Sequence, residues 1–124
     1  GRRAGSWSSV ASGSCEPMRA TVMLQRIMPR RTEADVQKAL VTVGFRGAFS
    51  IVYVPLNRKR TSNLGYAFVN FHAEAIAQDF IGRVHGSHAL GGLTGRQPCR
   101  AAFSKMQGEE FLRHVMESRA RSVP

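Results

Sequence analysis

Residues Leu64 to Phe71 read LGYAFVNF, and the reading of these eight residues decides the fold. They are rich in aromatic and β-branched residues, which suit an extended, pleated strand. Side chains alternate across a strand, so Ala67, Val69 and Phe71 share one face while Tyr66, Phe68 and Asn70 share the other. The first set is plain hydrophobic core. The second joins two rings to an amide, which neither a core nor a solvated face would ordinarily select.

Working outward, three more segments have the same character. TVMLQRI, Thr21 to Ile27, reads as a first strand ended by Pro29, with Val22 and Leu24 opposite Met23 and Gln25. FSIVYVP, Phe49 to Pro55, reads as a second, and PCRAAFS, Pro98 to Ser104, as the last. Between them lie two helical patterns. Thr32 and Asp35 have the spacing of a capping box ahead of Val36, Leu40 and Val43, with Gly44 as the stop. Ala73 to Val84 carries an apolar stripe of Ile76, Ala77, Phe80, Ile81 and Val84, closed by Gly86. Gly91 to Gly95 is expected to be a glycine-rich loop, and Gly108 to open a third helix bearing Phe111, Leu112, Val115 and Met116. The predicted order is β-α-β-β-α-β plus one helix. That is an α+β, ferredoxin-like sandwich, with a four-stranded antiparallel sheet and two helices on one face.

Parity then sorts the whole sheet. Val22, Leu24, Val52, Val54, Ala67, Val69, Phe71, Cys99, Ala101 and Phe103 are expected under the two helices. Met23, Gln25, Ile51, Tyr53, Tyr66, Phe68, Asn70, Arg100, Ala102 and Ser104 are expected on the other face. Flat rings beside hydrogen-bonding and cationic groups suit unstacked bases. The competing expectation is that the third helix lies across this face and makes the rings partly core, since its apolar residues also need burial.

The segment Leu64 to Phe71 resembles the ribonucleoprotein octamer of RNA recognition motif (RRM) domains. Gly65, Tyr66, Ala67, Phe68, Val69 and Phe71 match the pattern, while Leu64 stands where a basic residue is usual. The companion hexamer resembles VMLQRI, Val22 to Ile27, with Met23 in place of an aromatic residue. The runs TVMLQRIMPRRT, NLGYAFVNF and AAFSKMQGEEFLRHV resemble the C-terminal RRM of Mei-two-like proteins, over about residues 20 to 118. The loop GSHALGGLTG departs from that class. The resemblance implies single-stranded RNA binding, a ribonucleoprotein role in post-transcriptional, meiotic or developmental regulation, and a larger parent protein in the nucleus and/or cytoplasm. Tyr66 and Phe68 would stack bases, extended by Tyr53 and Met23. Gln25, Asn70 and Arg100 would bond to base edges or sugar. Arg58, Lys59, Arg60 and Lys105 would hold phosphates, with Arg30 and Arg31 as weaker candidates.

Charge agrees with a polyanionic partner. The chain of 124 residues carries 18 basic and 8 acidic residues for a net +10, and the basic residues are nearly all arginine. Arginine offers flat, bidentate contact to phosphate and stacks on bases. At 43% hydrophobic the chain can bury a core of one domain. Residues 1–19, rich in Ser, Gly and Arg, are expected to be a flexible leader in which Arg2 and Arg3 add only non-specific attraction, with a flexible tail over 119–124. The start at Gly1 suggests a piece of a longer protein.

Other chemistries find little support. Cys15 and Cys99 form neither a disulfide framework nor a metal set, and a reducing compartment is expected. His85 and His88 lack cysteine or carboxylate partners, and His72 and His114 stand alone, so no metal or other cofactor is expected. GGLTGR lacks the ending of a phosphate-binding P-loop. No nucleophile has a base at suitable spacing, no small-molecule substrate is indicated, and the chain is expected not to be an enzyme. An acylphosphatase-like hydrolase of the same topology would leave the exposed rings without a role. No apolar run approaches the roughly 18 residues of a membrane span, so no membrane partner is expected. The alternative to RNA is a protein partner bound on the sheet or the helices.

Overall fold

The computed structural model describes residues 19–121. The elements are β1 (Thr21–Gln25), α1 (Glu33–Thr42), β2 (Phe49–Tyr53), β3 (Tyr66–Phe71), α2 (Glu74–Val84), α3 (Gly91–Thr94), β4 (Arg100–Phe103) and α4 (Gly108–Arg121). The four strands form one antiparallel sheet in the order β2-β3-β1-β4. The expected ferredoxin-like α+β sandwich is the fold observed.

The helix-facing parity set is the core. Val22, Leu24, Val52, Val54, Ala67, Val69, Phe71, Cys99 and Ala101 are buried with Val36, Leu40, Phe45, Phe80 and Val84 from the helical side. Phe103 is only partly buried, because it lies at the sheet edge with the Arg19 guanidinium 4.3 Å from its ring centroid. Arg19 also reaches Glu74 at 3.3 Å, which ties down the residue where the flexible leader was expected to end; residues 1–18 lie outside the described residues. Burial pushes the Cys99 thiol up to about 11, so it packs as a small neutral hydrophobe.

α1 begins as the sequence indicates. The Thr32 side chain accepts from the Asp35 amide at 3.2 Å, and the Asp35 carboxylate accepts from the Thr32 amide at 2.8 Å. The same amide contact holds the Asp35 carboxyl below its ordinary range. Gly44, at φ 99°, supplies the left-handed residue that ends the helix.

Every strand is shorter at one end or both than the segment read from sequence, and α3 and α4 also differ from expectation. β1 stops at Gln25 because Arg26 turns to φ 70°. Gly91 to Gly95 was expected as a loop, but Gly91–Thr94 forms one helical turn, α3. Leu90 at its N-cap and Leu93 within it are buried, and the Thr94 hydroxyl donates to the Gln97 carbonyl at 2.8 Å. Burial of two leucines there outweighs the poor helix propensity of glycine, about 1 kcal/mol per residue. α4 runs on to Arg121, into the segment expected as tail, and residues 122–124 lie outside the described residues.

Asn63, at the head of the NLGYAFVNF run, is a buried tie. Its amide nitrogen donates to the carbonyls of Met28 at 2.8 Å and Arg31 at 2.9 Å, and its Oδ1 accepts from the Gly65 amide at 2.7 Å. Those bonds fasten the β1–α1 turn to the start of β3, where Gly65 takes φ 95°. Asn63→Ala removes all three bonds and leaves buried polar groups unmatched, so it is expected to lower the unfolding free energy by about 2–4 kcal/mol. Denaturant titration checks this, and Asn63→Asp, which cannot donate, is expected to fare little better.

Candidate nucleic-acid interface

The face away from α1 and α2 carries the second parity set, and α4 lies across half of it. Phe111 and Val115, 1% and 2% exposed, pack on Phe68 and Tyr53, which are 5% and 7% exposed. Tyr53 and Phe68 stack nearly parallel, with centroids 6.0 Å apart and an interplanar angle of 16°. Phe111 leans on Phe68 at 5.8 Å, and His114 meets Tyr53 edge-on at 5.7 Å. The Tyr53 hydroxyl donates to Ser118 Oγ at 2.8 Å. Arg119 donates to the Val52 carbonyl at 3.2 Å and pairs with Glu33 at 3.6 Å.

Of the two expectations for this face, covered or open, the β2–β3 half is covered. Tyr53 and Phe68 therefore offer no free ring surface while α4 is docked. The sequence alone left this undecided because α4 has two (i, i+4) apolar pairs. Phe111 and Val115 face the sheet, whereas Leu112 and Met116 are 43% and 69% exposed.

What selects the first pair is the start of the helix. Gln107 Oε1 accepts from the amides of Ala20 at 3.0 Å and Thr21 at 2.9 Å. Its Nε2 donates to the carbonyls of Thr21 and Ser104, both at 2.8 Å. Four bonds from one side chain fix where α4 leaves the β1–β4 edge, and this role of the partly buried Gln107 had no sequence signal beyond its place in the QG run.

The β1–β4 half stays open. Gln25, Arg100, Ala102 and Lys105 are exposed, and Met23 is partly exposed beside Phe68. Tyr66 is partly exposed at the other side, edge-on to Phe68 at 5.7 Å. Asn70 is less available than expected. Its Oδ1 accepts from the Thr21 hydroxyl at 2.7 Å and its Nδ2 donates to Ser50 Oγ at 3.0 Å, across a bulge between Phe49 and Ile51.

Arg58, Lys59 and Arg60 are exposed at the tip of an ordered hairpin loop. A bridge between Leu56 and Asn63 closes it, and Asn57 Oδ1 accepts from the Thr61 amide at 2.9 Å. The loop thus holds its cations at the edge of the sheet. Arg30 is exposed, whereas Arg31 is partly buried with its Nε unpartnered among the described residues. Among the described residues no three His, Cys, Asp or Glu side chains gather as metal ligands, and no helix is long and apolar enough to cross a membrane.

Comparison with known proteins agrees with this architecture. No family model matches the chain. Protein MEI2-like 3 of Oryza sativa subsp. japonica is 33% identical over 96 residues, covering 60% of this chain and 10% of the rice protein. The chain thus spans about a tenth of the length of that relative. The structure of the Rna15 RRM with bound RNA (GU) superposes with a TM-score of 0.60 at 17% identity, covering 82% of this chain and 98% of that one. The second RRM domain of yeast poly(U)-binding protein Pub1 gives a TM-score of 0.55 at 15% identity, covering 72% and 98%. The strand order, the octamer on β3 and these likenesses together give the conclusion that the chain has the RNA recognition motif fold and resembles a Mei2-like protein.

Proposed function

We propose that this domain binds single-stranded RNA on the sheet face, with Tyr66 and Phe68 stacking bases, Tyr53 and Met23 extending the platform, and Arg58, Lys59, Arg60 and Lys105 holding phosphates. Gln25, Asn70 and Arg100 would supply base-edge or sugar contacts. The observation that carries the reading is the near-parallel Tyr53–Phe68 pair flanked by Tyr66, on a face that also carries the Gln25 and Asn70 amides and the Arg100 guanidinium. The Rna15 RRM, of the same fold, is known with RNA bound.

Reaching Phe68 and Tyr53 requires α4 to lift. Its release re-exposes Phe111 and Val115, at a cost of about 1.5–3 kcal/mol per side chain. Each stacked base returns roughly 1–3 kcal/mol. Two or three bases therefore suffice to compete with the helix, and a single base does not. RNA binding on the full platform is then coupled to helix release and needs a strand of several nucleotides.

The setting suggested by the Mei-two-like resemblance is post-transcriptional, meiotic or developmental RNA regulation in the nucleus and/or cytoplasm. A protein partner is the second reading. It is favoured by the exposed Leu112 and Met116 on the outer side of α4.

Two measurements test the RNA reading. In anisotropy titrations of a short single-stranded RNA pool at two salt concentrations, a Tyr66→Ala/Phe68→Ala protein that remains folded is expected to lose about 2 kcal/mol or more at both. Equal binding by both proteins, collapsing with salt, reduces the attraction to charge and favours the protein partner. Phe111→Ala loosens the competing helix. It is expected to raise affinity for RNA of several nucleotides by roughly tenfold, about 1.4 kcal/mol, while lowering thermal stability. A fall in affinity would mean that RNA uses the docked helix.

A further inference from the structure

With α4 docked, the covered half of the sheet ends in a cleft of about 980 Å³. One wall is the β2–β3 hairpin loop, the other is the C-terminal half of α4, and Tyr66 lies at the floor. Such a volume is at the upper end of small-ligand pockets, roughly 300–1,000 Å³. We propose that this cleft is a nucleotide site of the closed domain, built partly from α4, which takes one nucleotide with its 5′-phosphate before the helix lifts. The inference rests on the RNA reading above and deepens it, because it makes α4 part of a binding site as well as a cover.

Four observations carry it. First, Leu56 and Leu64, 43% and 51% exposed, are two large apolar side chains left facing solvent, and both line the cleft beside the Tyr66 ring. Together they form an apolar place for a base. Leu64 is the octamer position where a basic residue is usual, so the exchange removes a cation from the strand and supplies apolar surface here.

Second, charge is complementary to phosphate. Arg58 and Arg60 from the loop and Arg119 and Arg121 from α4 line the cleft against a single carboxylate, Glu33. Arg119 is already engaged with Glu33 and the Val52 carbonyl, so Arg58 and Arg121 are the proposed phosphate contacts. Glu33 also accepts from the Val54 amide at 3.4 Å, so its carboxylate is engaged by both the Val54 backbone and Arg119.

Third, the walls are preorganised. Asn57 fixes the loop by accepting from the amides of Thr61 and Ser62, while the Asn57 amide donates to the Ser62 carbonyl at 2.8 Å. Preorganised walls reduce the entropic cost of capture.

Fourth, the α4 wall presents His114 and Ser118, the two polar residues that also hold the Tyr53 ring and hydroxyl. A nucleotide seated here therefore contacts the same side chains that keep the helix docked. The longer strand that follows it is delivered beside the Phe68–Phe111 contact it must displace.

The test uses the full chain, with methyl and aromatic NMR signals followed while each of the four nucleoside 5′-monophosphates is added. At least one is expected to shift Leu56, Leu64 and Tyr66 saturably, while Phe111 and Val115, beneath the docked helix, stay unmoved. Arg58→Ala, at an exposed loop tip, and His114→Ala are each expected to weaken that binding threefold or more. The proposal is overturned if none of the four shifts these residues. It is also overturned if inorganic phosphate alone produces the same shifts, or if Phe111 and Val115 move with the same midpoint. The single-stranded RNA pool on the same sample separates the two readings. RNA binding without cleft shifts overturns the cleft alone, and no binding of either overturns both.

Discussion

The antiparallel pairing of β1 with β3 is the constraint from which the rest follows. It sets Val22 against Val69 and Leu24 against Ala67 on one face, and Met23 against Phe68 and Gln25 against Tyr66 on the other. A slip of one residue would put the rings into the core and the valines into solvent. Once that register is fixed, α1 and α2 must cover the aliphatic face. The aromatic face is left with apolar surface that something else has to shield. In the isolated domain, α4 does so over the β2–β3 half.

The two halves of this face consequently differ in character. Beneath α4 the packing is aromatic and closed, and the polar ties from Ser118 and Arg119 lie at its margin. The β1–β4 half is open, with Gln25, Arg100 and Lys105 in water. α4 covers the rings of the β2–β3 half and packs outside the main core. The aliphatic core does not depend on it, since Phe111 and Val115 belong to a separate cluster with Tyr53 and Phe68. Such a separation would let the helix leave without unfolding the sheet, as the proposed RNA binding requires.

Much of this was legible in the chain. Strand parity named nine core residues that are buried together, because an apolar period of two on β-branched and aromatic runs is the mark of a strand with one face in the core. The capping box of Thr32 and Asp35 was equally direct. Other features needed the third dimension. Asn63 and Gln107 look like ordinary polar residues, and their value lies in carbonyls and amides contributed by distant turns. α3 was hidden by its glycines, whose weak propensity is overridden by burial of Leu90 and Leu93. The choice between the Phe111–Val115 and Leu112–Met116 stripes could not be made from spacing, since both repeat at i, i+4. His114 stood alone in sequence and meets Tyr53 only because α4 crosses the sheet.

RNA of several nucleotides and α4 are expected to compete for Phe68 and Tyr53. Amide hydrogen exchange over residues 108–121, with and without a saturating single-stranded RNA, tests that competition most directly. Exchange in α4 should accelerate on binding while exchange in β3 slows. Slower exchange in α4, together with slowing in β3, would show RNA bound with the helix still in place and contradict the competition.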